Sequence, residues 1–155
     1  MILVTVGTTM PFDELLAEVD RLAEKGFFEG TLLVQSGQSK YRMRHGEQFV
    51  GRPGLQDLID QSDMVITHGG ATVIQLLLSG KPFVAFPNPR AAGDHQTAFL
   101  CQVSEVMDIS WSRDVADLER LCTERRKTGP ARNDGAFPKA ASLIENFARH
   151  KKDDM

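Results

Sequence analysis

The sequence predicts an α/β domain built on a doubly wound parallel sheet, and three observations carry that prediction. Short apolar runs alternate with segments of helical period along the chain. The runs are apolar throughout rather than at every second residue, as befits strands covered on both faces. Two of the seams from strand to helix carry glycine beside histidine, at the edge where such sheets bind ligands.

Taken in order, ILVTV (2–6) forms a first strand and GTTM turns the chain. PFDELLAEVDRLAEKG (11–26) is a helix: Pro11 suits a first turn, Asp13 and Glu14 complement the positive end of its dipole, and Gly26 stops it. Leu15, Leu16, Val19, Leu22 and Ala23 make its apolar face. TLLVQ (31–35) is a second strand, running into the polar loop SGQSKYRMRHG. QFV (48–50) gives a short third strand, GLQDLIDQS (54–62) a short helix, and DMVIT (63–67) a fourth strand. A helix over Thr72–Ser79 closes at Gly80, and PFVAF (82–86) is the fifth strand. After PNPRAAG, the segment DHQTAFLCQVSE (94–105) is helical and VMDI (106–109) is a weak strand. Two more helices are expected over 113–127 and 138–151, separated by the turn-rich TGPARNDG. The whole is a single Rossmann-like domain over 1–150, with 151–155 as a frayed tail.

Composition narrows the function. A chain of 155 residues holds one domain with a real core, and 41% hydrophobic with 25% charged residues is ordinary for a globular protein. A net charge of -3 argues against a broad nucleic-acid surface. The start MILVTVGTT has no basic n-region or cleavage site, and no apolar run approaches the roughly 20 residues that span a bilayer. Work at a membrane would then need another protein as the anchor. Cys101 and Cys122 lack a CxxC companion and are expected as buried free thiols in a reducing cytoplasm. His45, His68, His95 and His150 are too scattered to read as a zinc set.

The stretch VITHGGATVIQLLLSGKPFVAFP concentrates the chemistry. Gly69 and Gly70 clear side chains from the start of a helix whose free N–H groups and dipole favour an anion. Thr72 offers a hydroxyl and an N–H to a phosphate, His68 a ring donor, and Gln75, one turn on, a hydrogen bond to a ribose. A tight turn with a satisfied histidine is the competing reading. The next junction, GDHQTAFL, would bring Asp94, His95 and Gln96 close to the first, although Asp and Gln also cap helices in ordinary proteins. One junction fit for phosphate beside one fit for hydroxyls suggests a nucleotide-sugar.

The ordered set GTT…D, THGG, GKP and DHQ, from Met1 to about Glu105, resembles the C-terminal donor-binding domain of family 28 (MurG-like) glycosyltransferases. It also resembles the small subunits of split transferases, namely the PssE-like partner in bacterial exopolysaccharide assembly and the cytosolic subunit of the eukaryotic dolichol-linked N-acetylglucosaminyltransferase. The resemblance implies half of a GT-B fold in which His68, Gly69, Gly70 and Thr72 hold the diphosphate of a UDP-sugar and Gln75 takes the ribose position. Asp94 and Gln96 would contact sugar hydroxyls, with His95 structural or lining the sugar pocket. The backbone around Phe49 and Val50 would meet uracil, and Gly7 and Thr8 would face the partner domain and the acceptor. Two departures stand out: the family usually has a carboxylate where Gln75 stands, and the glycine loop is one residue shorter before Thr72.

The resemblance further implies a membrane-anchored subunit that supplies the base and binds a lipid-linked glycan acceptor. This chain would then be a cytoplasmic half-enzyme, peripheral at the membrane through its partner. No cofactor is required, and the lack of an Asp-x-Asp suggests a metal-independent site. The alternative is a non-catalytic nucleotide-sugar-binding or scaffolding subunit. A NAD-binding domain lacks its GxGxxG after the first strand, a hydrolase lacks a GxSxG turn, and a P-loop is absent. The basic loop residues Lys40, Arg42, Arg44 and His45 read as a solvated loop or as an acceptor-facing patch. Arg125, Arg126 and Lys127 read as complements to a helix C-terminus. Ala140, Leu143, Ile144 and Phe147 form an apolar stripe for core packing or partner docking.

Overall fold

A computed structural model describes residues 1–131, together with Glu145 and Arg149, both helical. The expected last helix and its apolar stripe, like the 151–155 tail, otherwise lie outside the described residues. The elements run β1 (Ile2–Thr5), α1 (Asp13–Glu24), β2 (Leu32–Gln35), β3 (Glu47–Phe49), α2 (Gln56–Gln61), β4 (Met64–His68), α3 (Thr72–Ser79), β5 (Phe83–Phe86), α4 (His95–Val106), β6 (Ser110–Trp111) and α5 (Leu118–Thr128).

All the strands are parallel, in the order β3-β2-β1-β4-β5-β6. The chain winds outward from β1 to β3, then crosses back to place β4 on the other side of β1. Thr5 thus pairs with Thr67 across the point where the winding reverses. In an open parallel sheet, that point leaves a crevice beyond the carboxyl ends of the strands. The topology therefore puts the glycine loop after β1 beside the glycine seam after β4.

Alternate strand residues feed two cores. Val4, Met64, Ile66, Val84 and Phe86 pack against α1 and α5 on one face, with Leu15, Leu16, Val19 and Leu22 as expected. Leu3, Val65, Phe83 and Ala85 pack against α2, α3 and α4 on the other, with Ile59, Leu76, Phe99 and Leu100. Burial on both faces is why the strands are apolar along their whole length.

Three sequence expectations are corrected. The strand expected over 106–109 is displaced: α4 runs through Val106, Met107 is buried in the second core, and β6 pairs Ser110 with Val84 and Trp111 with Ala85. The apolar residues there serve the helix face and the core, so apolarity alone misplaced the strand. The helix expected over 113–127 begins with a separate 3₁₀ turn, Val115–Asp117, capped by Asp114 accepting from Ala116 N–H. Of the two free cysteines, Cys122 is buried, which pushes its thiol up to about 12, but Cys101 is exposed. Position 101 falls on the solvent side of α4, opposite the Phe99, Leu100 and Val103 face.

The basic run of α5 also does more than complement a dipole. Arg125 is buried and donates from Nε to Ser110 Oγ at 2.9 Å, from Nη2 to Asp108 O at 3.0 Å and from Nη1 to Gly129 O at 3.1 Å. It staples the start of β6 to the end of α5. Arg126 lies over the Phe27 ring at 4.6 Å, tying α5 to the chain leaving α1. Among the described residues, no helix is long and apolar enough to cross a membrane.

Candidate functional site

A cavity of about 720 Å³ opens at the reversal point. The loop after β1 forms one wall, from Thr5 to Met10, and the start of α3 forms another, with His68, Gly70, Ala71 and Thr72. The β5–α4 junction adds Asn88, Ala91, Ala92, His95 and Gln96, and α4 adds Ala98, Phe99 and Gln102. Gln35 at the end of β2, and Arg52 and Leu55 in the loop before α2, complete the lining.

The start of α3 is open. Its first residues make no side-chain cap, Ala71 is already right-handed helical, and Val73 N–H bonds Gly70 O at 3.1 Å. The amides ahead of that bond have no intrahelical acceptor, and they lie at the positive end of the helix dipole.

The histidine and the glycines at this seam explain one another. A Cβ on Gly70 would come 2.3 Å from His68 Nε2, and one on Gly7 would come 2.9 Å from the same atom. The His68 ring is therefore wedged between two glycines that are far apart in sequence, and Gly7 adopts a φ of +79° that side chains disfavour. His68 Nδ1 lies 3.4 Å from Thr5 O. Thr67 Oγ1 lies 3.5 Å from the same nitrogen, so Nδ1 can donate to the Thr5 carbonyl when protonated or accept from the Thr67 hydroxyl when not, and the imidazolium donates from both ring nitrogens.

Gly69 serves packing. A Cβ there would sit 3.0 Å from both Gln96 Cβ and Leu100 Cδ1. Its N–H donates to Gln96 Oε1 at 3.2 Å, and Asn88 N–H donates to the same oxygen at 2.7 Å. One buried carbonyl oxygen thus joins the seams after β4 and β5, which orients the Gln96 amide and leaves Nε2 as its other polar end. Gln96→Leu is expected to lower unfolding free energy by about 2 kcal/mol, because two main-chain donors lose their acceptor. Gln96→Glu keeps an acceptor and should cost clearly less; equal denaturation midpoints for the two variants would contradict the bridging role.

Asn88 and Arg90 hold the cavity's outer loops. Asn88 Nδ2 donates to Pro11 O at 3.0 Å, so Pro11 precedes the helix rather than opening it. Arg90 bonds Glu14 through both guanidinium ends, at 2.9 and 2.7 Å, and this hydrogen bonding lowers the Glu14 pKa.

Of the twelve residues singled out in the sequence, Gly7, Thr8, His68, Gly70, Thr72, His95 and Gln96 line this cavity, and Gly69 lies just behind it. The other four stand off its wall. Gln75 Nε2 donates to Gln56 Oε1 at 2.8 Å, joining α3 to α2. Asp94 is exposed in a left-handed conformation (φ 55°), and its carboxylate lies 3.4 Å from Arg113. Phe49 ends β3 and Val50 follows it, and their carbonyls accept from Ser36 N–H and Gly37 N–H, both at 2.9 Å. The basic loop is not on the wall either: Asp20 anchors Tyr41, Arg44 and His45 against α1, and Asp13 accepts from Lys40 and Tyr41 N–H.

Sequence reasoning missed Gln35, Arg52, Leu55, Asn88, Phe99 and Gln102. The asparagine between two prolines in PNPR was a local signal for Asn88. The others become site residues only through the strand order.

Comparisons with known proteins bear on the family and the fold. The family model of the glycosyltransferase family 28 C-terminal domain matches residues 1–108. A UDP-N-acetylglucosamine–N-acetylmuramyl-(pentapeptide) pyrophosphoryl-undecaprenol N-acetylglucosamine transferase from Magnetococcus marinus is 28% identical over 112 residues, covering 70% of this chain. The match spans only 30% of that relative's length. The crystal structure of Acinetobacter baumannii MurG superposes with a TM-score of 0.56 at 16% identity, over 93% of this chain and 49% of that one. The residues matched by the family model run from β1 through α4 and include the seams after β1, β4 and β5.

Proposed function

The chain belongs to the glycosyltransferase family 28 C-terminal domain family, and from that premise we propose that its cavity binds a UDP-sugar donor for transfer to a lipid-linked acceptor. The observation that carries the reading is the uncapped amino end of α3 opening into a cavity of about 720 Å³ at the sheet's reversal point. In this reading the diphosphate lies against Gly70, Ala71 and Thr72, His68 donates to a phosphate oxygen as an imidazolium, and Gln96 Nε2 meets a sugar hydroxyl.

Transfer breaks the bond from the anomeric carbon to the terminal phosphate oxygen and forms a bond to an acceptor hydroxyl. Negative charge grows on the departing diphosphate as positive charge grows on the sugar ring. Fixed N–H donors at a helix start stabilise that leaving group without reorganising. The acceptor's proton needs a base, and we assign it, with acceptor binding, to a second Rossmann-like domain on a membrane-anchored partner subunit. That partner would hold this chain at the cytoplasmic face of the membrane. Among the described residues the cavity lining includes no carboxylate, so the proposed chemistry relies on hydrogen-bond donors and cations rather than on a metal.

Calorimetry tests the donor site. UDP is expected to bind the chain at one site, and His68→Ala to weaken it about ten-fold. Absence of UDP binding at millimolar concentration would remove the basis of the proposal. Transferase activity is expected to be weak in the isolated chain and restored by co-expression with a membrane-anchored partner of the same fold. Robust activity from the chain alone would refute the division of labour.

One observation favours a second reading, a non-catalytic nucleotide-sugar-binding or scaffolding subunit. Where the family pattern has a carboxylate, this chain has Gln75, engaged with Gln56 and off the cavity wall. Tight donor binding without turnover in the reconstituted pair would select it.

A further inference from the structure

Arg52 is the one lysine or arginine among the described residues that line the cavity holding Gly70, Ala71 and Thr72. A Cβ on neighbouring Gly51 would sit 3.4 Å from both Gln35 Nε2 and Thr8 Cγ2, so the chain here runs beside the end of β2 and the loop after β1. A few residues on, Gln56 is tied to Gln75 of α3 at 2.8 Å. The guanidinium itself is held lightly: Nη2 donates to Asp57 Oδ2 at 2.7 Å, and the two side chains are 43% and 53% exposed. An ion pair this exposed contributes little, because water and salt screen it. A diphosphate offers the same guanidinium more charge and two-pronged geometry.

Resting on the reading of the cavity as a donor site, we infer that Arg52 is a phosphate clamp held in reserve by Asp57. When a nucleoside diphosphate enters, Arg52 leaves the carboxylate and bonds the phosphates. Asp57 holds the guanidinium while the cavity is empty, and competes weakly with the ligand.

The test titrates the full chain with UDP by calorimetry and with uridine by NMR, for the wild type, Arg52→Gln, Arg52→Lys and Asp57→Asn. Arg52→Gln is expected to weaken UDP about ten-fold or more and leave uridine unchanged. Arg52→Lys should fall between, having charge without the fork. Asp57→Asn should bind UDP as well as the wild type, or a few-fold tighter, because the competitor is gone. The inference is overturned if Arg52→Gln binds UDP like the wild type, if it loses UDP and uridine equally, or if Asp57→Asn loses as much as Arg52→Gln. A wild-type chain that does not bind UDP overturns the donor site itself, a result distinct from any of these.

Discussion

Gly70→Ala is expected to weaken UDP binding about a hundred-fold or more while costing little stability. The added methyl would sit 2.3 Å from His68 Nε2, closer than any carbon tolerates, so the ring must leave its slot against Gly7. His68 lines the cavity beside Gly70, Ala71 and Thr72, so a ring moved from that slot changes the cavity wall next to the α3 amides. If the cavity is the donor site proposed above, a single methyl thus disturbs His68 and the helix start together. Gly80→Ala, at the other end of the same helix, is the matched control. Gly80 has a φ of +64° and open space around its Cβ position, so the substitution should cost about 1 kcal/mol of stability and leave UDP affinity unchanged. If Gly70→Ala bound UDP normally, the α3 start would not be the anion site.

Asp20→Ala is expected to cost about 3 kcal/mol of folding stability, the largest effect of any single polar truncation proposed for this chain. The carboxylate is fully buried and accepts from Tyr41 Oη at 2.9 Å, His45 Nδ1 at 2.8 Å and the backbone N–H groups of Arg44 and His45 at 3.1 Å. Truncation removes the shared acceptor of all these donors at once. Burial alone would push the Asp20 carboxyl up, but the hydrogen bonds from His45, Arg44 and Tyr41 outweigh it and hold the value at about 2. The folded chain keeps this group ionised where the unfolded chain takes up a proton, near its ordinary 3.8. Its stabilisation, of order 2 kcal/mol by linkage, is therefore complete at neutral pH and fades as pH falls from about 4 towards 2. Asp20→Asn has no such proton to take up. The stability gap between wild type and Asp20→Asn, read from urea unfolding, should narrow across that interval; a gap independent of pH would show that Asp20 does not titrate as described.

Much of the fold was legible locally. Residues 72–79 form a helix closed by a left-handed Gly80, and β1, β2, β4 and β5 lie within a residue of their expected bounds, because apolar runs, caps and glycine stops act over a few residues. Where apolarity served two purposes, as at Val106 and Met107, the pattern did not distinguish a helix face from a strand. The Arg125 staple, the Asp20 anchor and the Gln96 bridge were invisible, since each depends on partners brought near only by folding. His68, Gly70 and Thr72 could be picked out as site candidates because glycine and a polar side chain at a strand-to-helix seam have few purely local uses. Arg52 could not, because an arginine in a turn has many.

The sequence by itself determined a parallel sheet with helices on both faces and glycine seams at its edge, since period and composition encode which surfaces must leave water. Tertiary structure alone decided that β1 lies beside β4. That placement presses the His68 ring between Gly7 and Gly70 and makes two seams share one cavity. The physical reason is range: hydrophobic period acts between neighbours in the chain, whereas a site is made by strands that meet only when the whole sheet closes.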